Sequence, residues 1–452
     1  MAQGKFSAAP SKEFFIEMLT KDIPLERAII DLIDNSVDGA KNHLAKNNKD
    51  YREVGYKDYK IEIYFNTREF VIKDNCGGFS KKIADEYAFK LGKPDEYKSS
   101  EKAKGMVGRF GIGMKRALFK IGTYFIVESK SNGDHFIVEE NVVDWKDDRE
   151  KWEFNFRDVD GDSNDKLHKA VLDKNGTFVK VTNLNEAVKQ DFSLKSFHKK
   201  IISEIERTLN YSLKRDLTIE VNRVRLESDP IQLLVSDDLR PYYFEENING
   251  VNVKVFAGIA EPNPNLAGWY IYCNDRLMVD RDRSNLTGWE GGKKFYDDSG
   301  VQKFHNKVAM FRGLVFFSSD DSSALPMTTT KWGIDVNSTI YKSTRNKMIH
   351  AMKVVLGDLN RLNNAEERQQ IVQNSTSMDI VEYQKQSDVL SEDFKFPEVK
   401  KNKFGDGKSG VSYRVDTQLL NKVKKHLNVS TNGKAGEETF NYYVHMKELN
   451  HE

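Results

Sequence analysis

The chain of 452 residues carries 70 Lys and Arg against 69 Asp and Glu, a formal net charge of +1. That length allows two or three domains with substantial cores, and the balanced charge excludes a global electrostatic pull toward nucleic acid or membrane, so any basic surface is local. Two cysteines, Cys76 and Cys273, exclude a disulfide framework and a multi-cysteine zinc site. With no apolar leader segment and no apolar run of membrane-spanning length, the expectation is a cytoplasmic protein without a membrane partner.

In chain order, a helical pattern runs from about Ser11 to His43 with a break at Pro24. It contains DLIDNSVDGA, residues 31–40, in which Asp31, Asn35 and Asp38 stack at i, i+4 and i+7 on one face. Ile29, Leu32, Ile33, Ser36, Val37 and Ala40 form the adjoining core-facing stripe. No Lys or Arg balances those acids before Lys41, which distinguishes this face from an ordinary solvated one. KIEIYF and FVIKD then alternate as strands about the turn NTRE, a hairpin ending at Asp74. A Lys- and Gly-rich stretch leads into a helix starting near Met114. TYFIVESKS and DHFIVEEN predict a second hairpin, GTFVKVTNL a further strand, and residues 197–214 a helix. From Leu217 the pattern restarts with strands, followed by a helix over about 338–362, polar text to 410 that reads as linker, and a short tail module.

Three stretches carry candidate chemistry. The first is the Asp31 face. The second is DNCGGF, where Asp74 stands at a strand end and glycines at 77 and 78 let a planar ligand approach the backbone, while the carboxylate accepts from an amino group. The third is GMVGRFGIGMK, whose glycines at 105, 108, 111 and 113 free successive N–H groups before a helix N-terminus, an anion site to which Lys115 adds charge. This spacing is neither a Walker A motif nor a dinucleotide fingerprint, and the later GDGKS fails as Walker A because Asn402 occupies its first glycine position.

Taken in this order, the acid–Asn helix, D-x-x-G-G and Gly-rich lid resemble the Bergerat-fold ATPases, the GHKL superfamily of gyrase, heat-shock chaperone, histidine kinase and MutL-type proteins. GRFGIGMK and DLIDNSVDGA look most like its MORC branch. The resemblance covers roughly residues 11–220 and implies an α+β fold: an α/β sandwich ATPase domain over 1–220, then a βαβ transducer domain over 221–365, a linker over 366–410 and a small C-terminal module over 411–452. By the same resemblance the cofactors are ATP and Mg²⁺. Asn35 would hold the metal, with Asp38 on the same face; Asp74 with Gly78 would bind the adenine amino group, and Thr177 would support that edge through water. The lid, including Gly108, Phe110, Gly111, Ile112, Gly113, Met114 and Lys115, would close on the phosphates. Asp31 stands where ATPases of the superfamily usually carry Glu as the base that orients water; it has the same chemistry with one methylene less reach, which puts the rate in doubt. Glu26, off that face, is a poor substitute.

GWYIYCNDRLMVD resembles the transducer of MutL, gyrase and MORC proteins, and LPMTTTKWGID resembles its lysine loop, which would bring Lys331 to the γ-phosphate. Glu128-Ser-Lys130 resembles half of a restriction-type nuclease core, but its place in the second hairpin is explained by the ATPase fold. The nine histidines show no metal-ligand pairing and no phosphoacceptor box. The tail reads as a strand, a basic helix with Lys422, Lys424, Lys425 and His426, and an aromatic helix; Lys400, Lys401 and Lys403 extend its charge. It is either a solvated face or a DNA-contacting or pairing module. The expectation is a MORC-like ATPase that forms an ATP-dependent homodimer and acts as a clamp on DNA, alone or with a partner effector protein, in antiphage defence. The alternatives are a chaperone-like ATPase remodelling clients and a nucleotide-sensing scaffold with negligible turnover.

Overall fold

The computed structural model describes residues 11–90, 112–148, 152–159, 169–289, 304–328, 331–362, 365–386, 393–398, 411 and 414–449. The chain divides into two compact units, residues 1–397 and 398–452. Helix α1 (Lys12–Thr20) starts under Ser11, whose side chain accepts from the Phe14 N–H. Helix α2 (Leu25–Lys46) follows Pro24, which holds an extended backbone at the cap and cannot continue α1. Its apolar positions, from Leu25 and Ala28 to Leu44, recur on one stripe and enter the core, while His43 and Lys46 in the last turn suit the negative end of the helix dipole.

An eight-stranded sheet runs in the order β5-β4-β3-β6-β2-β1-β7-β8. Its members are β1 (Lys60–Phe65), β2 (Phe70–Asp74), β3 (Gly122–Ser131), β4 (Asp134–Asn141), β5 (Phe156–Asp158), β6 (Gly176–Leu184), β7 (Thr218–Val221) and β8 (Val224–Arg225). All pairs are antiparallel except β1 with β7. Period-two alternation sends Ile61, Ile63 and Phe65 of β1, and Phe70, Ile72 and Asp74 of β2, to the covered face. Asp74 thus takes the last inward place of an otherwise apolar row. The helix Gly113–Ile121 packs along α2, and both share one core with the sheet. This mixed α/β layering agrees with the expected fold class.

A second sheet, in the order β10-β11-β14-β12-β13, comprises β10 (Tyr242–Ile248), β11 (Val251–Ile259), β12 (Gly268–Cys273), β13 (Arg276–Asp282) and β14 (Phe311–Ser318), with β12 parallel to β14. The helix Thr339–Arg361 packs on it. The stretch 366–410, read as linker from its polarity, begins instead with a helix Ala365–Gln373, a strand β15 (Thr376–Asp379) and a helix Ile380–Gln386. β15 pairs antiparallel with β9 (Gln232–Val235), and Ile380 and Tyr383 join the core of the second sheet. Isolated apolar residues on a polar background hid this docking. In the second unit the helices Thr417–Leu427 and Asn432–Met446 match the basic and aromatic helices expected; residues 414–416 are not strand, and 412–413 lie outside the described residues.

Candidate functional site

Asp31 is completely buried although it belongs to the polar face of α2. Its Oδ2 is ion-paired to the Arg116 guanidinium of the helix Gly113–Ile121. Its Oδ1 is also buried and accepts no hydrogen bond among the described residues. The ion pair thus engages one oxygen of the carboxylate and leaves the other as a candidate proton acceptor. Gly113 lies against Asp31: a Cβ there would sit 3.5 Å from the Asp31 Cβ. Ile112 at the N-cap of the Gly113 helix offers no side-chain cap, and among the described residues this positive helix end lies beside Asp31. One turn along α2, Asn35 is exposed while its neighbours Asp34 and Ser36 are buried, and Asp38 is buried as well.

The second group gathers about Asp74. Ser36 Oγ of α2 donates to Asp74 Oδ2 at 2.7 Å, and the backbone N–H groups of Cys76 and Thr177 donate to Oδ1 at 2.8 and 3.1 Å. Burial pushes the Asp74 carboxyl above its ordinary value, with these three donors opposing. Thr177 therefore meets Asp74 through its main chain. Two glycines make the approach possible. Gly78 has φ +61° and a Cβ on it would fall 2.1 Å from the Lys130 carbonyl oxygen; a Cβ on Gly176 would fall 2.0 Å from that of Asp74. Gly78 thus serves the contact between the Asp74 turn, β3 and β6.

Lys115 turns away from the Asp31 face. Its buried ammonium donates to the carbonyl oxygens of Ala88 at 2.8 Å and Lys90 at 2.6 Å, and burial lowers its pKa to about 7. Ile112, Gly113 and Met114 are described at the helix start, whereas Gly108, Phe110 and Gly111 of the lid lie outside the described residues.

Lys331 also comes to α2, at Asp34. Its Nζ lies 3.7 Å from Asp34 Oδ2, and Arg276 Nε of β13 donates to Asp34 Oδ1 at 3.0 Å. The same guanidinium donates to the Lys331 carbonyl. The Trp332 ring contacts the guanidinium groups of both Arg27 of α2 and Arg276, whose carbons lie 3.1 and 4.4 Å from its centroid.

Sequence reasoning missed Arg116, Ser36, Asp34, Arg276 and Trp332. Asp34 stood in plain view between Asp31 and Asn35, but its partner is 242 positions away, and no local signal names it. Glu128, half of the nuclease-like pair, accepts from the N–H groups of Val171 and Leu172 and pairs with His135, while Lys130 donates to the Asp173 carbonyl; both side chains tie down the segment before β6. Among the described residues no three His, Cys, Asp or Glu side chains gather to hold a metal, and no helix is long and apolar enough to cross a membrane.

No curated protein matches the chain. Residues 23–177, a span that opens just before α2 and closes at Thr177, match the family model of the histidine kinase-, DNA gyrase B- and HSP90-like ATPases, which supports a GHKL-type ATPase domain over this segment.

Proposed function

We propose that the chain is a MORC-like GHKL ATPase that binds ATP with Mg²⁺, pairs two protomers on binding, and couples slow hydrolysis to clamp-like action on DNA. The observation that carries the reading is the Ser36–Asp74–Thr177 connection, which joins the α2 motif, the D-x-x-G-G turn and the end of the family match at one carboxylate. Asp74 accepts from the adenine amino group, and the Gly113 helix N-terminus with the lid receives the phosphates. Asp31 Oδ1 takes the proton of the attacking water as the oxygen–phosphorus bond to the terminal phosphoryl group breaks, yielding ADP and phosphate. The exposed amide of Asn35, beside buried carboxylates, is a hard oxygen donor that fits Mg²⁺ and would hold it together with phosphate oxygens. Bound Mg²⁺ supplies neutralisation of phosphate charge. Lys331 contacts the terminal phosphate and so distinguishes ATP from ADP. Exposed Lys422, Lys425 and His426 on the Thr417–Leu427 helix support the DNA assignment, and the antiphage context rests on the MORC resemblance alone.

One observation favours a second reading, a nucleotide sensor with negligible turnover: Arg116 already holds Asp31 Oδ2, so the carboxylate is engaged by a cation before any water is held. Light scattering at micromolar protein separates the clamp from a nucleotide-independent scaffold. A non-hydrolysable ATP analogue should double the mass of a monomer, and an unchanged mass contradicts the clamp.

A further inference from the structure

Asp34 is a buried carboxylate with two cations at hand, Arg276 and Lys331, and its own exposure and that of Arg276 are 2% and 1%. The two contacts are unequal. Arg276 Nε lies 3.0 Å from Oδ1 and 2.8 Å from Oδ2, and its single N–H is directed at Oδ1. Oδ2 accepts no hydrogen bond among the described residues, and Lys331 Nζ stands 3.7 Å from it, beyond hydrogen-bond length. Lys331 thus sits within electrostatic reach of a buried anion without a bond that fixes it. Its main chain is fixed at two points. The Lys331 N–H donates to the Thr328 carbonyl at 3.0 Å, the Lys331 carbonyl accepts from Arg276, and the residue holds a left-handed φ of 59°.

We infer that Asp34 and Arg276 are positioning residues that make Lys331 a side-chain switch on a fixed backbone: Asp34 Oδ2 is the resting counter-ion of the Lys331 ammonium and competes for it with the terminal phosphate of ATP. The inference rests on the reading of Lys331 as the γ-phosphate ligand. When Lys331 leaves, Asp34 stays compensated by Arg276, so no buried charge is stranded. Because Arg276 also holds the Lys331 carbonyl, the loop need not move for the side chain to change partner. Asp34 therefore acts on discrimination between ATP and ADP, since only ATP offers the competing anion.

Two substitutions that both disturb the cluster should move this discrimination in opposite directions. Asp34→Asn removes the competing anion and leaves Lys331 to the phosphate; the ratio of ADP to ATP dissociation constants, measured by calorimetry on the full chain, should rise about tenfold. Arg276→Lys keeps a cation for Asp34 but not the fork that reaches both the carboxylate and the Lys331 carbonyl; the ratio should fall severalfold. A purely structural role would lower thermal stability in both and leave the ratio where it was, which overturns the inference. Lys331→Ala separates this failure from that of the underlying reading. If Lys331→Ala leaves the ratio unchanged, Lys331 is not a γ-phosphate ligand. If it lowers the ratio while Asp34→Asn does not raise it, the γ-phosphate contact stands and the competition is wrong. In the Asp34→Asn/Lys331→Ala double variant the gain should vanish. Should Asp34→Asn not fold, Arg276→Lys decides alone, and an unchanged ratio in that folded variant overturns the inference.

Discussion

Asp31 and Asp34 are three residues apart on one helix, both buried and both paired to an arginine, yet their surroundings differ. Arg116 retains 16% side-chain exposure and binds one oxygen of Asp31, leaving Oδ1 without a donor among the described residues. Arg276 is sealed in, and it connects Asp34 to a segment some 300 positions onward through the Lys331 carbonyl. The first pair links α2 to the helix that follows the Gly-rich lid; the second links α2 to the second sheet. An ion pair that leaves one oxygen without a donor suits proton transfer, whereas a buried pair that ties a helix carboxylate to a distant backbone carbonyl suits the holding of position. The same residue type on the same helix thus meets two environments, set by the company each carboxylate keeps.

Stability measurements should sharpen that contrast. Arg276→Ala strands a fully buried carboxylate and should destabilise by about 3–5 kcal/mol in chemical denaturation. Arg116→Ala lets water reach Asp31 and should cost nearer about 2 kcal/mol. Equal losses would erase the distinction drawn between the two pairs.

Asp74→Asn should weaken ATP and ADP alike by about 10–100-fold, because a charge-assisted bond of about 1.5–3 kcal/mol to the base is lost while the phosphate contacts remain. A loss confined to ATP would remove Asp74 from the adenine end.

An effect graded with pH concerns Lys115. Its pKa falls to about 7 in the folded protein from 10.5, so between those values the unfolded chain binds the extra proton. Stability contributed by this group therefore rises with pH from about 7 upward, by at most about 1.4 kcal/mol per pH unit. Denaturation at pH 7.5, 8.5 and 9.5 should show a steeper rise in the wild type than in Lys115→Met. Parallel slopes would mean that Lys115 remains charged against the Ala88 and Lys90 carbonyls.

The elements that position the site were legible because their signals are local. The α2 stripe, the Asp74 hairpin, β3–β4 and the Thr339–Arg361 helix all lie within two or three residues of where periodicity puts them. The region 365–386 was not, since β15 offers only Thr-Ser-Met-Asp and gains its place by pairing with β9. Of the candidate site residues, Asp31 and Asn35 stand on one helix and Asp74 at one strand end, so single elements display them. Arg116 was hidden among ordinary helix-surface cations, and Arg276 sits in a hairpin turn sequence, Asn-Asp-Arg, that reads as exposed. Both acquire meaning only from tertiary partners, and a charge pattern along one strand or helix does not contain them.

Asp31 is the proposed base of the ATPase site. The most direct measurement is product formation by Asp31→Asn, assayed together with the nucleotide that copurifies through a desalting column after incubation with ATP. Removing the base should slow hydrolysis by about 10²–10⁴-fold, with ATP retained intact because Asn35 and Asp74 are untouched. Hydrolysis by Asp31→Asn at the wild-type rate would contradict the account and leave the Asp31 face of α2 as a binding surface only.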